Sequence, residues 1–185
     1  MADTGDNQHR PFVIVDKAEA CVFVFASSGG LLGASPVLLG SACGDDSVLG
    51  IGQRAIQNIR PEESTTPTGR FVAEPGRNAG GEDIVWVDYD AAVSMHRVRP
   101  INPPERRLER LATISSSDNR IAYGCINLPA AFYNNVVSPL FAGTSGIVYL
   151  LPESKPLKAV FGAAQTGKSP PLRTGPLVAV PNSRD

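Results

Sequence analysis

No apolar run in this chain is longer than a strand. The longest, such as the ACVFVFA that begins at Ala20, stop after a handful of residues. Between them stand 18 glycines and 16 prolines in 185 residues. A helical bundle needs long periodic stretches free of these two breakers, so the punctuation favours a β-rich fold with many turns. The same shortness excludes a spanning helix, which needs roughly 18 consecutive apolar residues.

With 42% hydrophobic and 19% charged residues, the composition is that of one globular domain. Its length suffices to bury a core without metals or disulfide staples. The formal net charge of −1 lacks the basic excess of a nucleic-acid binder, so no nucleic-acid partner is expected. The opening MADTGDNQHR is polar and has no apolar signal core. Three cysteines, Cys21, Cys43 and Cys125, leave at least one free thiol. A Cys21–Cys43 bridge is open to an exported chain; otherwise Cys21, inside an apolar run, is core.

Along the chain, residues 1–9 read as a flexible arm, 10–152 as the domain, and 153–185 as a Pro/Gly-rich tail. PFVIVDKAEACVFVFASSGG holds two β-branched and aromatic runs around a polar turn, which is a hairpin pattern. ASPVLLGSACG adds a short extended piece. Further strands are expected at Arg70–Ala73, Ile84–Tyr89, Ala92–Val98 and in GIVYLLP. Two short helices interrupt them. NPPERRLERLA places a proline in the first turn, with Leu108 and Leu111 forming one apolar edge. NLPAAFYNNVVSPLF carries apolar residues at helical spacing and is expected to end before Pro139.

RIAYGCINLP sets Cys125 directly after Gly124, between extended chain and helix. A glycine there lets a reacting carbonyl come close to backbone N–H groups. A thiol is only a few per cent ionised at neutral pH and needs a neighbouring base to act as a nucleophile. Of the two histidines, His9 lies in the polar arm and His96 ends a predicted strand, 29 positions before Cys125. His96 is therefore the candidate base. Two separated histidines and no paired cysteines offer no zinc geometry, and neither metal nor cofactor is expected. Six arginines (97, 99, 106, 107, 110 and 120) lie between the histidine and the cysteine. Most read as the solvated face of a helix, paired with Glu105 and Glu109; Arg97 and Arg120 flank the site and are set apart.

The order of these pieces, TPTG before a strand, a strand ending in His96, then GCIN ahead of a helix, resembles the L,D-transpeptidase catalytic domain (YkuD type) over roughly residues 10–152. The resemblance implies a mainly β sandwich or barrel, with two short helices flanking a catalytic cysteine loop. It implies a peptidoglycan-acting enzyme whose Cys125 thiolate attacks a tetrapeptide stem and forms a thioester. His96 would be the base, oriented by the Arg97 carbonyl. Tyr123 and Gly124 would belong to the oxyanion loop, Asn127 would fix local backbone, and Arg120 and Tyr89 would contact substrate. Tyr123 stands where the family usually has a histidine, and the spacer after His96 is longer. The acceptor would be an amine, on another stem, a protein or a D-amino acid. Such a protein works in the periplasm or cell envelope and is a carbapenem target, so an export signal is expected in the native protein and is absent from this sequence. Two alternatives stay open: a hydrolase with the same Cys/His site (an L,D-carboxypeptidase or an enzyme cutting a peptidoglycan–protein bond), and a non-catalytic wall-binding module.

Overall fold

In a computed structural model, residues 5–162 are described. Alternation drives the first hairpin. In β1 (Phe12–Asp16) and β2 (Cys21–Phe25), Val13, Val15, Val22 and Val24 point to one face. Phe12, Ile14 and Phe25 point to the other, as the two-residue period of a strand requires. Next come β3 (Leu31–Pro36), β4 (Leu39–Gly40), β5 (Gly69–Arg77), β6 (Asp83–Asp88) and β7 (Val93–Arg97). α1 (Arg107–Ala112) then leads to β8 (Arg120–Ala122) and β9 (Ile126–Leu128). The helical stretch α2 (Ala130–Phe132) and α3 (Ser138–Phe141) follows, then β10 (Gly146–Leu150) and α4 (Leu157–Phe161).

Eight strands form one sheet in the order β3-β2-β1-β10-β5-β6-β7-β9. β1 and β10 are parallel, as are β7 and β9; the other neighbours are antiparallel. Just past β3, Leu38 exchanges two 2.9 Å backbone hydrogen bonds with Asn127 of β9. The sheet thus nearly closes on itself, and the fold is mainly β. β10 is buried on both faces. Its Val148 and Leu150 join the inner core of Val13, Val85, Met95 and Ile126, while Ile147 and Tyr149 pack outside against Phe12. Each such aliphatic side chain contributes about 1.5–3 kcal/mol through burial.

Several sequence expectations are corrected. The arm is not free from residue 5 onward. Asn7 is buried, bonding the Arg10 and Ser27 carbonyls at 2.9 Å, and Asp6 accepts from Arg70 and Tyr149. The second helix does not stop before Pro139. A π-turn over Tyr133–Val137 widens the coil, with Ser138 N–H bonding the Tyr133 carbonyl. This relieves the clash a proline ring makes with the carbonyl four residues back, and the helix continues to Phe141. In α1 only Leu111 is buried, while Leu108 is 55% exposed, so the expected apolar edge is a single anchor. The tail is structured at its start: Asp45 accepts the backbone N–H groups of Glu153, Ser154 and Lys155, and α4 lays Phe161 against Tyr149. The rest of the expected tail, from residue 163, lies outside the described residues. All three cysteines are free thiols, so no Cys21–Cys43 bridge is present. Among the described residues no helix is long and apolar enough to cross a membrane.

Candidate active site

Tyr123, Gly124 and Cys125 form the short connection between β8 and β9. Gly124 has φ +115°, a conformation L side chains rarely adopt, and a Cβ there would lie 3.1 Å from the Thr65 carbonyl oxygen. The glycine is therefore required by the loop's own backbone, whatever approaches it from outside. Fully buried Thr66 fastens this loop. Its Oγ1 donates to the Gly124 carbonyl at 2.9 Å and accepts Gly40 N–H at 2.9 Å.

The parallel pairing of β7 with β9 brings the two halves of the site together. His96 is in register with Asn127, two residues after Cys125. The Cys125 side chain is densely surrounded yet keeps part of its surface open to solvent. Its sulfur lies 3.7 Å from Ser94 Oγ and 3.6 Å from the Ala92 carbonyl. His96 Nδ1 lies 2.8 Å from the Arg97 carbonyl, which can only accept, so Nδ1 carries a proton and, in the neutral ring, Nε2 carries the lone pair. Asn127 Nδ2 sits 3.4 Å from that Nε2 and 3.4 Å from the Cys125 carbonyl.

The thiol and imidazole perturb one another. Burial pushes the Cys125 thiol up, but hydrogen bonding and charge attraction with His96, joined by Ser94, outweigh it and leave the thiol below its ordinary value. Burial likewise pushes His96 down. The bond and charge of Cys125, with the Arg97 carbonyl, overcome that and raise the imidazole, against the opposing charge of Arg107. Both shifts favour moving the proton from sulfur to nitrogen. The thiol is turned toward Ser94 and Ala92 rather than squarely onto Nε2, a loose arrangement common in sites without substrate.

Arg97 is itself clamped. Its guanidinium pairs with Asp83 at 2.8 Å, donates to Asn134 Oδ1 at 2.6 Å and lies 4.5 Å over the Tyr133 ring. Arg107 donates to Asn127 Oδ1 at 2.8 Å and pairs with Glu105. Tyr123 projects into solvent, 49% exposed. Tyr89 stacks on Trp86 with centroids 5.1 Å apart, in the turn whose Ala92 carbonyl touches the thiol. Arg120 is placed differently. It donates to the Lys17 carbonyl at 2.6 Å, pairs with Glu153, and lines a cleft of about 870 Å³ that includes neither Cys125 nor His96. Sequence reasoning passed over Ser94, Thr66 and Arg107. Thr66 opens the TPTG segment already singled out; nothing in the sequence separates Arg107 from its neighbours. Among the described residues no cluster of three or more metal-binding side chains occurs.

No protein-family model and no curated protein matches the chain. Among solved structures it is similar to the L,D-transpeptidase LdtMt1 in complex with imipenem, at 17% identity and a TM-score of 0.43. That alignment covers 76% of this chain and 58% of the other. A second similar structure is the Ldtfm–avibactam carbamoyl enzyme, at 16% identity and a TM-score of 0.44, covering 77% and 49%. A third is the L,D-transpeptidase of Xylanimonas cellulosilytica, at 14% and 0.46, covering 76% and 60%. The chain spans less than two thirds of each of these proteins. Likeness at such identity concerns the fold, and the chemistry is read from this chain's own side chains.

Proposed function

We propose that this protein is a cysteine acyltransferase of the L,D-transpeptidase type, acting on peptidoglycan stem peptides. The observation that carries the reading is a partly open thiol, lowered by a histidine whose Nδ1 proton is held by the Arg97 carbonyl, so that Nε2 is the nitrogen left to take the thiol proton. The ordered TPTG, His96 and GCIN segments support the choice of substrate.

In the first half-reaction the Cys125 proton passes to His96 Nε2 as sulfur attacks the carbonyl carbon of the stem's third residue. The oxyanion is assigned to the backbone N–H groups of residues 123–125, where fixed dipoles act at low dielectric. Collapse breaks the bond to the terminal D-Ala, whose amine takes the proton from His96, leaving a thioester on Cys125. An acceptor amine then attacks the thioester, gives its proton to His96 and releases the thiolate. Ser94 Oγ and the Ala92 carbonyl hold the sulfur until substrate draws it toward the imidazole. Since peptidoglycan lies outside the cytoplasmic membrane, the place of action is the cell envelope.

The test is intact-mass spectrometry after incubation with imipenem, whose strained carbonyl is an electrophile for an activated thiol. A single covalent adduct is expected on the native chain and none on Cys125→Ala. No adduct on the native chain, or the same adduct on Cys125→Ala, overturns the reading. Incubation with sacculi then separates transfer from hydrolysis: stems joined through their third residues mark an amine acceptor, and free tripeptide stems mark water.

A further inference from the structure

We propose, on the basis of that reading of Cys125 and His96, that Arg107 is a positioning residue that fixes the tautomer of the catalytic imidazole through the Asn127 amide. An asparagine amide has two ends of nearly equal size, one accepting and one donating. What decides its orientation here is a partner that can only donate. Arg107 Nη1 lies 2.8 Å from Asn127 Oδ1, which compels Nδ2 to face His96 Nε2. Nδ2 can bond Nε2 only while that nitrogen carries a lone pair. From the opposite side, Nδ1 must keep its proton for the Arg97 carbonyl. The ring is therefore locked from both sides in the form that can accept the thiol proton.

Arg107 is built for this task, in contrast with its neighbour. Its side chain is 12% exposed and held by Glu105, whereas Arg106 is 70% exposed and pairs with Glu109. The difference comes from the backbone. Arg106 has φ +50°, a left-handed conformation that costs a non-glycine residue energy. That kink joins the 3₁₀ turn Pro103–Glu105 to α1 and turns the next side chain inward. The extra length of chain between His96 and β8 thus delivers one guanidinium to the back of the site.

The chemical consequence is a brake. When the thiol proton moves to Nε2, that nitrogen becomes a donor facing a donor, and the Asn127 contact is lost. The Arg107 charge also opposes the imidazolium. His96 is thereby held neutral and ready, and the ion pair forms when substrate pulls the thiol across. The charged or titratable groups around the ring are Cys125 on the loop, Arg107 with Glu105 beside α1, and Arg97 with Asp83 across β7 and β6.

The chain has two histidines, so ¹⁵N NMR resolves the His96 tautomer, with His9→Gln assigning the other ring. The native protein is expected to show protonated Nδ1 and bare Nε2. Arg107→Met should move His96 toward the Nε2–H form and raise its titration midpoint. It should also slow imipenem acylation roughly tenfold, a part of the roughly 10²–10⁴-fold that a positioned base supplies. Arg107→Lys, which keeps charge and donor, should restore most of the native behaviour, and Arg106→Met should match the native protein. Should Arg107→Met not fold, Arg107→Gln retains the donor without the charge, and is expected to hold the tautomer while raising the midpoint. An unchanged tautomer in Arg107→Met overturns the proposal whatever its midpoint, and so does an unchanged midpoint in Arg107→Gln. The two readings fail separately: absence of any imipenem adduct on the native chain removes the acyltransfer reading, whereas the NMR result alone decides what Arg107 does to the ring.

Discussion

The thiol site and the Lys17 cluster are both polar constellations set into the same β structure, and they differ in how tightly their atoms are committed. Lys17 is fully buried, and its ammonium meets three acceptors: Gly44 O at 2.6 Å, Asp45 Oδ1 at 2.9 Å and Thr66 O at 2.9 Å. Asp45 in turn accepts from Lys17, three backbone N–H groups and the Ser154 hydroxyl, all between 2.5 and 2.9 Å. At the thiol the contacts to Ala92 O and Ser94 Oγ are 3.6 and 3.7 Å, and Asn127 Nδ2 lies 3.4 Å from His96 Nε2. A fully satisfied network has no capacity left for a ligand or a moving proton; it holds two chain segments in one place. The loose site holds its Nε2 lone pair and its thiol proton only through long contacts, to Asn127 and Ala92, that a proton-transfer step can break. Thr66 belongs to both regions, giving its carbonyl to Lys17 and its hydroxyl to the cysteine loop. The tight cluster therefore acts as the anchor against which the loose site is held.

The largest expected effect comes from breaking the anchor. Lys17→Met leaves Asp45 without its cation, and chemical denaturation should show a loss of about 3–5 kcal/mol. Burial pushes the Asp45 carboxyl up, but its Ser154, backbone and Lys17 hydrogen bonds prevail and hold it well below the usual carboxylate range. A depressed folded value contributes stability above the unfolded value near 3.9, lost as pH falls through the folded value. In Lys17→Met that acid limb should begin at higher pH. A loss under about 1 kcal/mol would mean that the cluster is packing and not an anchor.

Much of this architecture was legible because it depends on alternation. Val13 and Val15, Val22 and Val24 announce their shared face, and GIVYLLP announces a strand buried on both sides. What stayed hidden depends on long-range contacts or backbone dihedrals. Asp6 and Asn7 lie in a segment with the composition of a free arm, and partners distant in sequence (Ser27, Arg70 and Tyr149) tie them down. Pro139 reads as a helix stop, since the π-turn that tolerates it has no local sequence signature. His96 and Cys125 stand out by residue type and order, yet their 29-residue separation says nothing of distance. Parallel pairing of β7 with β9 supplies the proximity. Among the six arginines, Arg107 turns inward because of one positive φ at Arg106, and Arg120 turns toward Glu153 because residues past 152 fold back. Neither is visible in a one-dimensional pattern.

An intermediate effect is expected at the shared residue. Thr66→Val keeps the shape but strands Gly40 N–H and the Gly124 carbonyl, both buried. An unsatisfied buried group costs about 1–3 kcal/mol, which sets the expected loss of stability. Because the cysteine loop is released as well, iodoacetamide labelling of Cys125 at neutral pH should slow. A stability loss with unchanged labelling would show that Thr66 supports only the anchor.

The smallest effect should come from Cys43→Ser. Cys43 is exposed, lines the Arg120–Glu153 cleft and belongs to the anchor side of the molecule. A surface change of this size is expected within about 0.5 kcal/mol of the native stability. Its value is as a test of transmission. Ala42, beside it, bridges Thr65, whose carbonyl lies where a Cβ on Gly124 would crowd it, just ahead of the Cys125 thiol. If the anchor only holds the loop in place, a change that leaves the Ala42–Thr65 bridge intact must leave the Cys125 labelling rate and its pH midpoint unmoved. A shift in either would mean that the two regions exchange free energy through that bridge, and that the tight cluster tunes the thiol as well as supporting it.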